Sequence, residues 1–355
     1  MKEKKVKIGL EVHIQLNTKT KLFCGCRTDV KEPNSAVCEI CLGMPGSKPS
    51  LNIEAVKKGI SLALALDSKI QDKMVFSRKT YFYPDMSKNY QITQYEFPLA
   101  FGGSFELQSK KIRITRLQLE EDPASIQHKG TYSLLDYNRS GIPLIELVTE
   151  PDFSSIKEVK EFIKEVISIL DYLNIYDPSK FSIRVDTNVN IEGHPRVEIK
   201  NLNSLKTIEK AVNFEIIRQK NNLKNGTELK QKTVYYDEAT GSIIASREKE
   251  TEEDYGYIFD TDLPVFTAHT LLVKSEREKL PELPKQKINR LVKEYNITKE
   301  ESKTICIEKF TADIFEKAEL DKKRLAKWIC GSLRKVLNYN KLKLSQTKIN
   351  KLEIE

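Results

Sequence analysis

Glu11 and His13 stand two residues apart in Gly9-Leu10-Glu11-Val12-His13-Ile14. In an extended strand, residues i and i+2 project from one face, so an acid and an imidazole point together. A second run ends in Leu119-Glu120-Glu121-Asp122, with His128 shortly after, and Leu144-Ile145-Glu146-Leu147-Val148-Thr149-Glu150 sets Glu146 and Glu150 among apolar neighbours. Carboxylates inside hydrophobic runs need a partner. A hard divalent cation such as Mg2+ is the economical one, because carboxylate oxygens suit it and it clamps nucleotide phosphates in turn. Arg184-Val185-Asp186-Thr187-Asn188 and Arg196-Val197-Glu198-Ile199-Lys200-Asn201 alternate polar with apolar residues, so each lays a polar row on one sheet face. One such row is the solvent face of an ordinary sheet. Several strands that each bring acid, amide and base favour a site. There is no Walker or kinase-type glycine loop, so a nucleotide would have to be held by metal and basic side chains on a sheet.

Four of the six cysteines fall in Cys24-Gly25-Cys26 and Cys38-Glu39-Ile40-Cys41. Two close thiol pairs separated by a loop suit a tetrahedral zinc site, in which each turn supplies two ligands. Four thiolates leave no open position for substrate, so such an ion is structural and holds the loop. Disulfides or four unrelated thiols are the alternatives. Cys306 and Cys330 are isolated and read as core residues.

Bases and aromatics interleave in Phe76-Ser77-Arg78-Lys79-Thr80-Tyr81-Phe82-Tyr83-Pro84-Asp85, followed by Asn89-Tyr90-Gln91-Ile92-Thr93-Gln94-Tyr95. Arg78 and Lys79 can hold phosphate while Tyr81 or Tyr83 stacks on a base, as unpaired RNA ends favour. A strand with inward-packed aromatics explains the segment equally well.

The elements that must position these groups read as α+β. Short β-like runs cover Lys5 to Leu16, Ile112 to Glu121, Phe181 to Ile191 and Thr233 to Ala245. Three- and four-residue apolar steps predict helices over Asn52 to Leu66 and Ser154 to Leu173. A proline-rich joint, Leu280-Pro281-Glu282-Leu283-Pro284, precedes amphipathic helices from Lys285 to Leu344 that break near Asn296 and Asp321. We expect two domains, 1–272 with the zinc loop at 24–41, and 273–355. At 355 residues the chain can bury a sizeable core, and its composition excludes disordered, collagen-like and coiled-coil classes. Residues 271 to 355 hold 21 Lys and Arg against 13 Asp and Glu, which accounts for the whole net charge of +8. That asymmetry fits either a surface meeting a polyanion or a lysine-rich solubilising face. The longest apolar stretch, Ile60 to Leu66, falls short of the ~18 residues a bilayer span needs, so we expect a cytoplasmic protein with no membrane contact.

The sequence resembles the B subunits of the aspartyl/glutamyl-tRNA amidotransferases. The likeness runs through IGLEVHIQLNTKTKLFCGC, VCEICLGMPGSKP, SRKTYFYPDMSKNYQITQYE, RLQLEED, DYNRSGIPLIELVTEPD, RVDTNVNI and RVEIKNLNS, and continues through YYDEATGSIIASREKE, DLPV and LAKWICGSL. The resemblance implies a cradle domain with a glutamine-synthetase-like mixed sheet and a small all-α domain. It implies two protein partners in one complex, the amidase, which is the A subunit, with the small C subunit. It implies a ligase that uses ATP and Mg2+ to phosphorylate the side-chain carboxylate of Glu-tRNA(Gln) or Asp-tRNA(Asn), after which ammonia from the amidase displaces phosphate. By motif, Glu11, His13, Glu121, Glu146 and Glu150 are the expected metal and ammonia-handling groups, with magnesium on Glu11, His13, Glu121 and Glu150. Glu120, Asp122, His128, Asp186 and Glu198 lie nearby. Arg78, Lys79, Tyr81, Tyr83, Arg184, Lys200 and Asn201 are expected to meet ATP or tRNA, and Zn2+ is expected on Cys24, Cys26, Cys38 and Cys41.

The sequence also departs from the pattern. The family's HLEEDAGK stands here as Gln118 to Ser125, QLEEDPAS, and DYRYFPEPDLP as Asp254 to Pro264 with Gly256 in place of arginine. The sequence ends at Glu355, before the tail domain that the family uses to grip tRNA, so that tail is expected to be absent. A zinc-bearing RNA-binding protein without catalysis is the competing class. The archaeal paralogue is not matched, since it needs an inserted domain in the cradle.

Overall fold

In the computed structural model the first strand, Val6–Gln15, buries Ile8, Leu10, Val12 and Ile14 and leaves Glu11, His13 and Gln15 partly open, the alternation that its sequence dictates. The structure describes residues 4–177, 183–226, 230–237, 240–248, 255–267 and 270–349. Phe181, Asp254 and Glu355, which bound three of the segments expected from sequence, lie outside these residues.

The first strand sits in a ten-stranded sheet. From one edge the order is Ser242–Glu248, Lys232–Asp237, Val197–Leu202, Arg184–Ile191, Val6–Gln15, Pro143–Thr149, Lys111–Glu121, Ala100–Phe101 and Lys69–Ile70, with Ser104–Glu106 also paired to Lys111–Glu121. All described pairs are antiparallel except Val197–Leu202 with Lys232–Asp237. That parallel pair needs a crossover, and the helix Leu205–Asn225 supplies it. The β run expected at Thr233 to Ala245 is two strands, because residues 240–241 turn, with Gly241 at φ +65°. Ser77–Thr80 lies between Tyr90–Thr93 and Ile258–Phe259 in a three-stranded sheet, and Ser125–Lys129 forms a hairpin with Tyr132–Asp136.

The helix expected at Asn52 to Leu66 spans Ile53–Ala65, capped by Asn52, whose Oδ1 accepts the Glu54 N–H at 2.9 Å. It packs closely on the sheet: a Cβ added to Gly59 would lie 2.5 Å from Leu99 Cδ2 and 3.7 Å from Leu119 Cδ2. The second expected helix spans Ile156–Tyr172.

Two compact units divide the chain, Met1–Phe162 with Ile175–Glu278, and Ile163–Asn174 with Lys279–Glu355. The second is helical around a core that includes Tyr172, Leu291, Ile305, Phe315, Leu325 and Ile329. Its helices break where glycine-free stop signals stand: Asn296 closes Pro284–Tyr295 at φ 50°, and Asp321 caps Lys322–Trp328. Cys306 is 1% exposed in this core and Cys330 packs against it. The protein is thus a mixed α/β structure with one large mixed sheet and several helices. No helix among the described residues is long and apolar enough to cross a membrane.

Candidate functional site

Pairing register gathers the polar rows of five adjacent strands. His13 stands opposite Glu146 on one side and Arg184 on the other, Glu11 opposite Asp186, Glu146 opposite Gln118, and Asn188 opposite Glu198. The alternate residues Val12, Leu117, Leu119, Ile145 and Leu147 are buried. Period-two alternation therefore separates an apolar face from a charged one.

Two groups on the charged face can each share an ion, with ligand atoms all within 4.8 Å of one another: His13, Glu120 and Glu146; and Glu11, Asp186 and Glu198. Glu120 and Glu146 are 5% and 8% exposed. Burial, then the Glu146 carboxylate, raises the Glu120 pKa. Burial works against a charged His13, but the carboxylates of Glu146, Asp186 and Glu120 outweigh it and raise the pKa. Two buried carboxylates with one imidazole between them form an oxygen-rich set that fits Mg2+. Gln118 orients this group: its Nε2 donates to Glu146 Oε2 at 2.6 Å and to Thr93 Oγ1 at 3.2 Å, while Arg116 Nε donates to Gln118 Oε1 at 2.8 Å.

The second group already has a cation. Lys200 Nζ lies 2.9 Å from Asp186 Oδ2 and 2.6 Å from Glu198 Oε1. Burial disfavours the Lys200 charge, yet Asp186, Glu198 and Glu11 hold its pKa well above the ordinary value. Asp186 is pushed up by burial and brought below its usual value by Lys200 and His13. The Asn201 N–H donates to Asp186 Oδ1 at 2.8 Å, and Asn188 Nδ2 to Glu11 Oε1 at 2.9 Å.

Beside His13 opens a cleft of about 420 Å3, whose lining includes Arg27, Ser125, Asn138, Arg139, Arg184 and Asn203. Two of its arginines are held by one buried acid. Asp122 Oδ2 accepts from Arg139 Nε at 2.5 Å, and Oδ1 accepts from Arg139 Nη2 at 3.0 Å and Arg184 Nη2 at 2.5 Å.

Other expected residues lie apart from the His13 group. Glu121 accepts from Lys88 Nζ at 2.5 and 2.6 Å and from the Ile92 N–H at 2.8 Å, and Glu150 accepts from Thr115 Oγ1 at 2.8 Å. Among the described residues, the groups of three whose ligand atoms lie within 4.8 Å of one another join His13 with Glu120 and Glu146, and Glu11 with Asp186 and Glu198; Glu121 and Glu150 belong to neither. His128 is exposed on the Ser125–Lys129 hairpin, within 2.9 Å of Ser133 Oγ. Arg78 is held by Asp260 and Asp262 and lies 4.6 Å from the Tyr90 ring centre; Lys79 lies 4.5 Å from that of Tyr255. Tyr81 and Tyr83 stack on each other at 6.1 Å. The residues missed were Gln118, Arg139 and Tyr257. Burial, then the Glu146 and Glu120 carboxylates, raises the Tyr257 pKa, and its ring stacks on Tyr95 at 4.3 Å. For Gln118 the signal is pairing register, which local sequence does not carry; Arg139 and Tyr257 lie outside the strands and reach the site through the folding of the turns that hold them.

Cys24, Cys26, Cys38 and Cys41 converge, with all four sulfurs within 4.8 Å of one another and none in a disulfide. The Cys38 N–H and Lys21 Nζ donate to Cys41 Sγ at 3.2 and 3.4 Å. Cys41 is pushed down to about 4, first by the hydrogen bond from Cys24 and also by Lys21, while that same bond raises Cys24. Four close sulfurs, one of them favoured as thiolate, fit a metal.

Residues 6–274, which carry both the acidic face and the cysteine cluster, match the family model of the GatB/GatE catalytic domain. The chain belongs to that family. Among its relatives, the B subunit of the aspartyl/glutamyl-tRNA(Asn/Gln) amidotransferase of Sulfolobus acidocaldarius is 45% identical, over 97% of this chain and 76% of the relative. The proteins of the same description from Saccharolobus solfataricus and Methanoregula boonei are each 43% identical, covering 97% and 94% of this chain and 76% and 73% of their own lengths.

Proposed function

We propose that this chain is the B subunit of an aspartyl/glutamyl-tRNA amidotransferase, a cytoplasmic ligase of translation that works with an amidase partner and a small third subunit. The catalytic cradle, of glutamine-synthetase-like fold, is residues 1–272, and the basic helical domain 273–355. The observation that carries this reading is the buried His13, Glu120 and Glu146 group beside the arginine-lined cleft.

In the reaction, a side-chain carboxylate oxygen of Glu-tRNA(Gln) or Asp-tRNA(Asn) bonds to the γ-phosphorus of ATP as the bond to the departing ADP oxygen breaks. Ammonia then attacks the carbonyl carbon of the acyl phosphate, phosphate leaves, and the surplus proton passes to a carboxylate. His13, Glu120 and Glu146 would hold Mg2+, which when bound draws charge from the transferring phosphoryl group. Asp122 takes two donors of Arg139 and one of Arg184, and the remaining guanidinium donors meet phosphate oxygens in the cleft. Glu11, with Asp186 and Glu198 around Lys200, offers the proton acceptor for the amine. Cys24, Cys26, Cys38 and Cys41 would hold Zn2+ away from the chemistry.

The test is amide formation on both misacylated tRNAs by the reconstituted complex, with Mn2+ binding by electron paramagnetic resonance alongside. Glu146→Gln should weaken Mn2+ binding and slow amide formation by about 100-fold or more, because metal stabilisation of phosphoryl charge is worth several kcal/mol. Glutamine hydrolysis by the partner should persist. Unchanged Mn2+ affinity and amide formation in this variant would sink the assignment.

A further inference from the structure

Lys21 is completely buried, at 0% exposure. Its ammonium donates to Ala36 O at 2.9 Å, Tyr137 O at 3.1 Å and Cys41 Sγ at 3.4 Å, which uses all three of its donors. Among the described residues no carboxylate forms an ion pair with it, so Cys41 is the partner able to carry negative charge. A buried ammonium needs such a partner. Four thiolates around one divalent ion carry a net charge of about −2, and an ammonium on one of the sulfurs offsets part of it.

The same three bonds close a seam between two segments. Ala36 belongs to the cysteine loop, and Tyr137 follows the Tyr132–Asp136 strand. Along this seam the Ala36 N–H donates to Asn138 Oδ1 at 2.8 Å, the Leu22 N–H to Gly141 O at 2.8 Å, and Ser140 Oγ to Cys41 O at 3.2 Å. Gly141 sits at φ +86°, where an added Cβ would lie 3.5 Å from Lys21 Cδ, so the turn lies directly on the lysine. Between Tyr137 and Gly141 stand Asn138 and Arg139, which line the cleft, and Arg27, Thr28 and Val30 line it from the cysteine loop. Both sides of the seam therefore end in the cleft.

We propose that Lys21 is a positioning residue that couples metal occupancy of the cysteine cluster to the wall of the cleft carrying Asn138 and Arg139. This rests on the reading of the four cysteines as a metal site. Its action is through the chain: the ammonium balances the thiolates on one side and holds the Tyr137 carbonyl on the other.

Two measurements on the full chain decide it. In the first, the zinc-loaded protein is titrated with a chromogenic chelator as wild type, Lys21→Met and Lys21→Arg. Lys21→Met should surrender zinc with an affinity about 10- to 100-fold lower, the range for partners of metal ligands, and Lys21→Arg should recover part of the loss. In the second, hydrogen exchange of the wild type is followed by mass spectrometry with zinc and after its removal. Exchange should accelerate at residues 135–142 as well as 24–41, and stay unchanged in the Val6–Gln15 strand. This arm needs no variant, so it decides the matter even if Lys21→Met does not fold. Wild-type zinc affinity in a folded Lys21→Met, or acceleration confined to 24–41, would overturn the coupling. A wild type that takes up no zinc would overturn the metal reading itself, and the first titration reports that before any variant is made.

Discussion

Asp122→Asn is the substitution that most sharply tests the electrostatic frame of the cleft. Asp122 is 1% exposed and accepts three hydrogen bonds from two guanidinium groups. Asparagine keeps one oxygen, which can still serve Arg184 and one nitrogen of Arg139. It puts an amide donor against Arg139 Nε and leaves two positive charges without their shared anion. A charge-assisted bond contributes about 1.5–3 kcal/mol, and removing one partner of a buried pair costs about 3–5 kcal/mol. The Arg139 and Arg184 side chains are 33% and 26% exposed, so water recovers part of the loss. We therefore expect about 2–4 kcal/mol of destabilisation. At roughly 2–4 °C per kcal/mol for a large domain, Tm should fall by at least about 4 °C. Calorimetry of Asp122→Asn, Arg139→Gln and the double variant closes a cycle whose coupling should be about 1–3 kcal/mol. A Tm within about 1 °C of wild type, or purely additive single effects, would refute the claim that Asp122 holds the arginines in place.

Cys38→Ser should lower bound zinc well below the wild-type value of about one ion per chain, and reduce Tm with it, because a closed four-thiolate site tolerates no missing ligand; metal analysis and calorimetry of the same sample check both. The pair Arg113 and Asp152 predicts a pH dependence: Arg113 donates to both oxygens of Asp152 at 2.7 and 2.9 Å, and that bond first holds the Asp152 pKa below its ordinary value. A depressed folded pKa lends stability above the unfolded carboxylate range and loses it as pH falls through the folded value. The Tm gap between wild type and Arg113→Gln should be widest near neutral pH and close in acid below about pH 4, whereas a gap constant from about pH 7 to about pH 3 would contradict the assignment.

What the sequence carried was the chemistry of each strand taken singly. Glu11 and His13 were legible as neighbours because both lie on one strand, where spacing alone fixes the face. The cysteine cluster was legible for the same reason, since two short spacers and one loop bring its ligands together. Helix positions followed from apolar spacing; the structure adds the Asn52 cap at the start of Ile53–Ala65 and the left-handed Asn296 at the end of Pro284–Tyr295. Glu120 and Glu121 show where this ends. They are adjacent, both are glutamates and both are buried, at 5% and 3% exposure. One joins His13 and Glu146 while the other spends its carboxylate on Lys88 and the Ile92 N–H.

Choosing between them requires the register of Lys111–Glu121 against Pro143–Thr149, and a slip of one residue would exchange their faces. That register is set by long-range pairing and by the burial of Leu117 and Leu119 beneath the helix Ile53–Ala65, whose Gly59 allows the close approach. The apolar half of each strand thus decides which acid reaches the site. Gln118 follows the same logic: two residues from Glu120, and opposite Glu146 in the pairing, it shares their face. A substitution that disturbs the packing of Leu119 therefore acts on the metal-binding group without touching it. Leu119→Ala, which leaves every acid in place, should weaken Mn2+ binding together with Tm, whereas a surface change such as Lys111→Ala on the same strand should alter neither. Equal Mn2+ affinity in wild type and Leu119→Ala would show that the acidic group is positioned by its own charges and hydrogen bonds, independently of the apolar face beneath it.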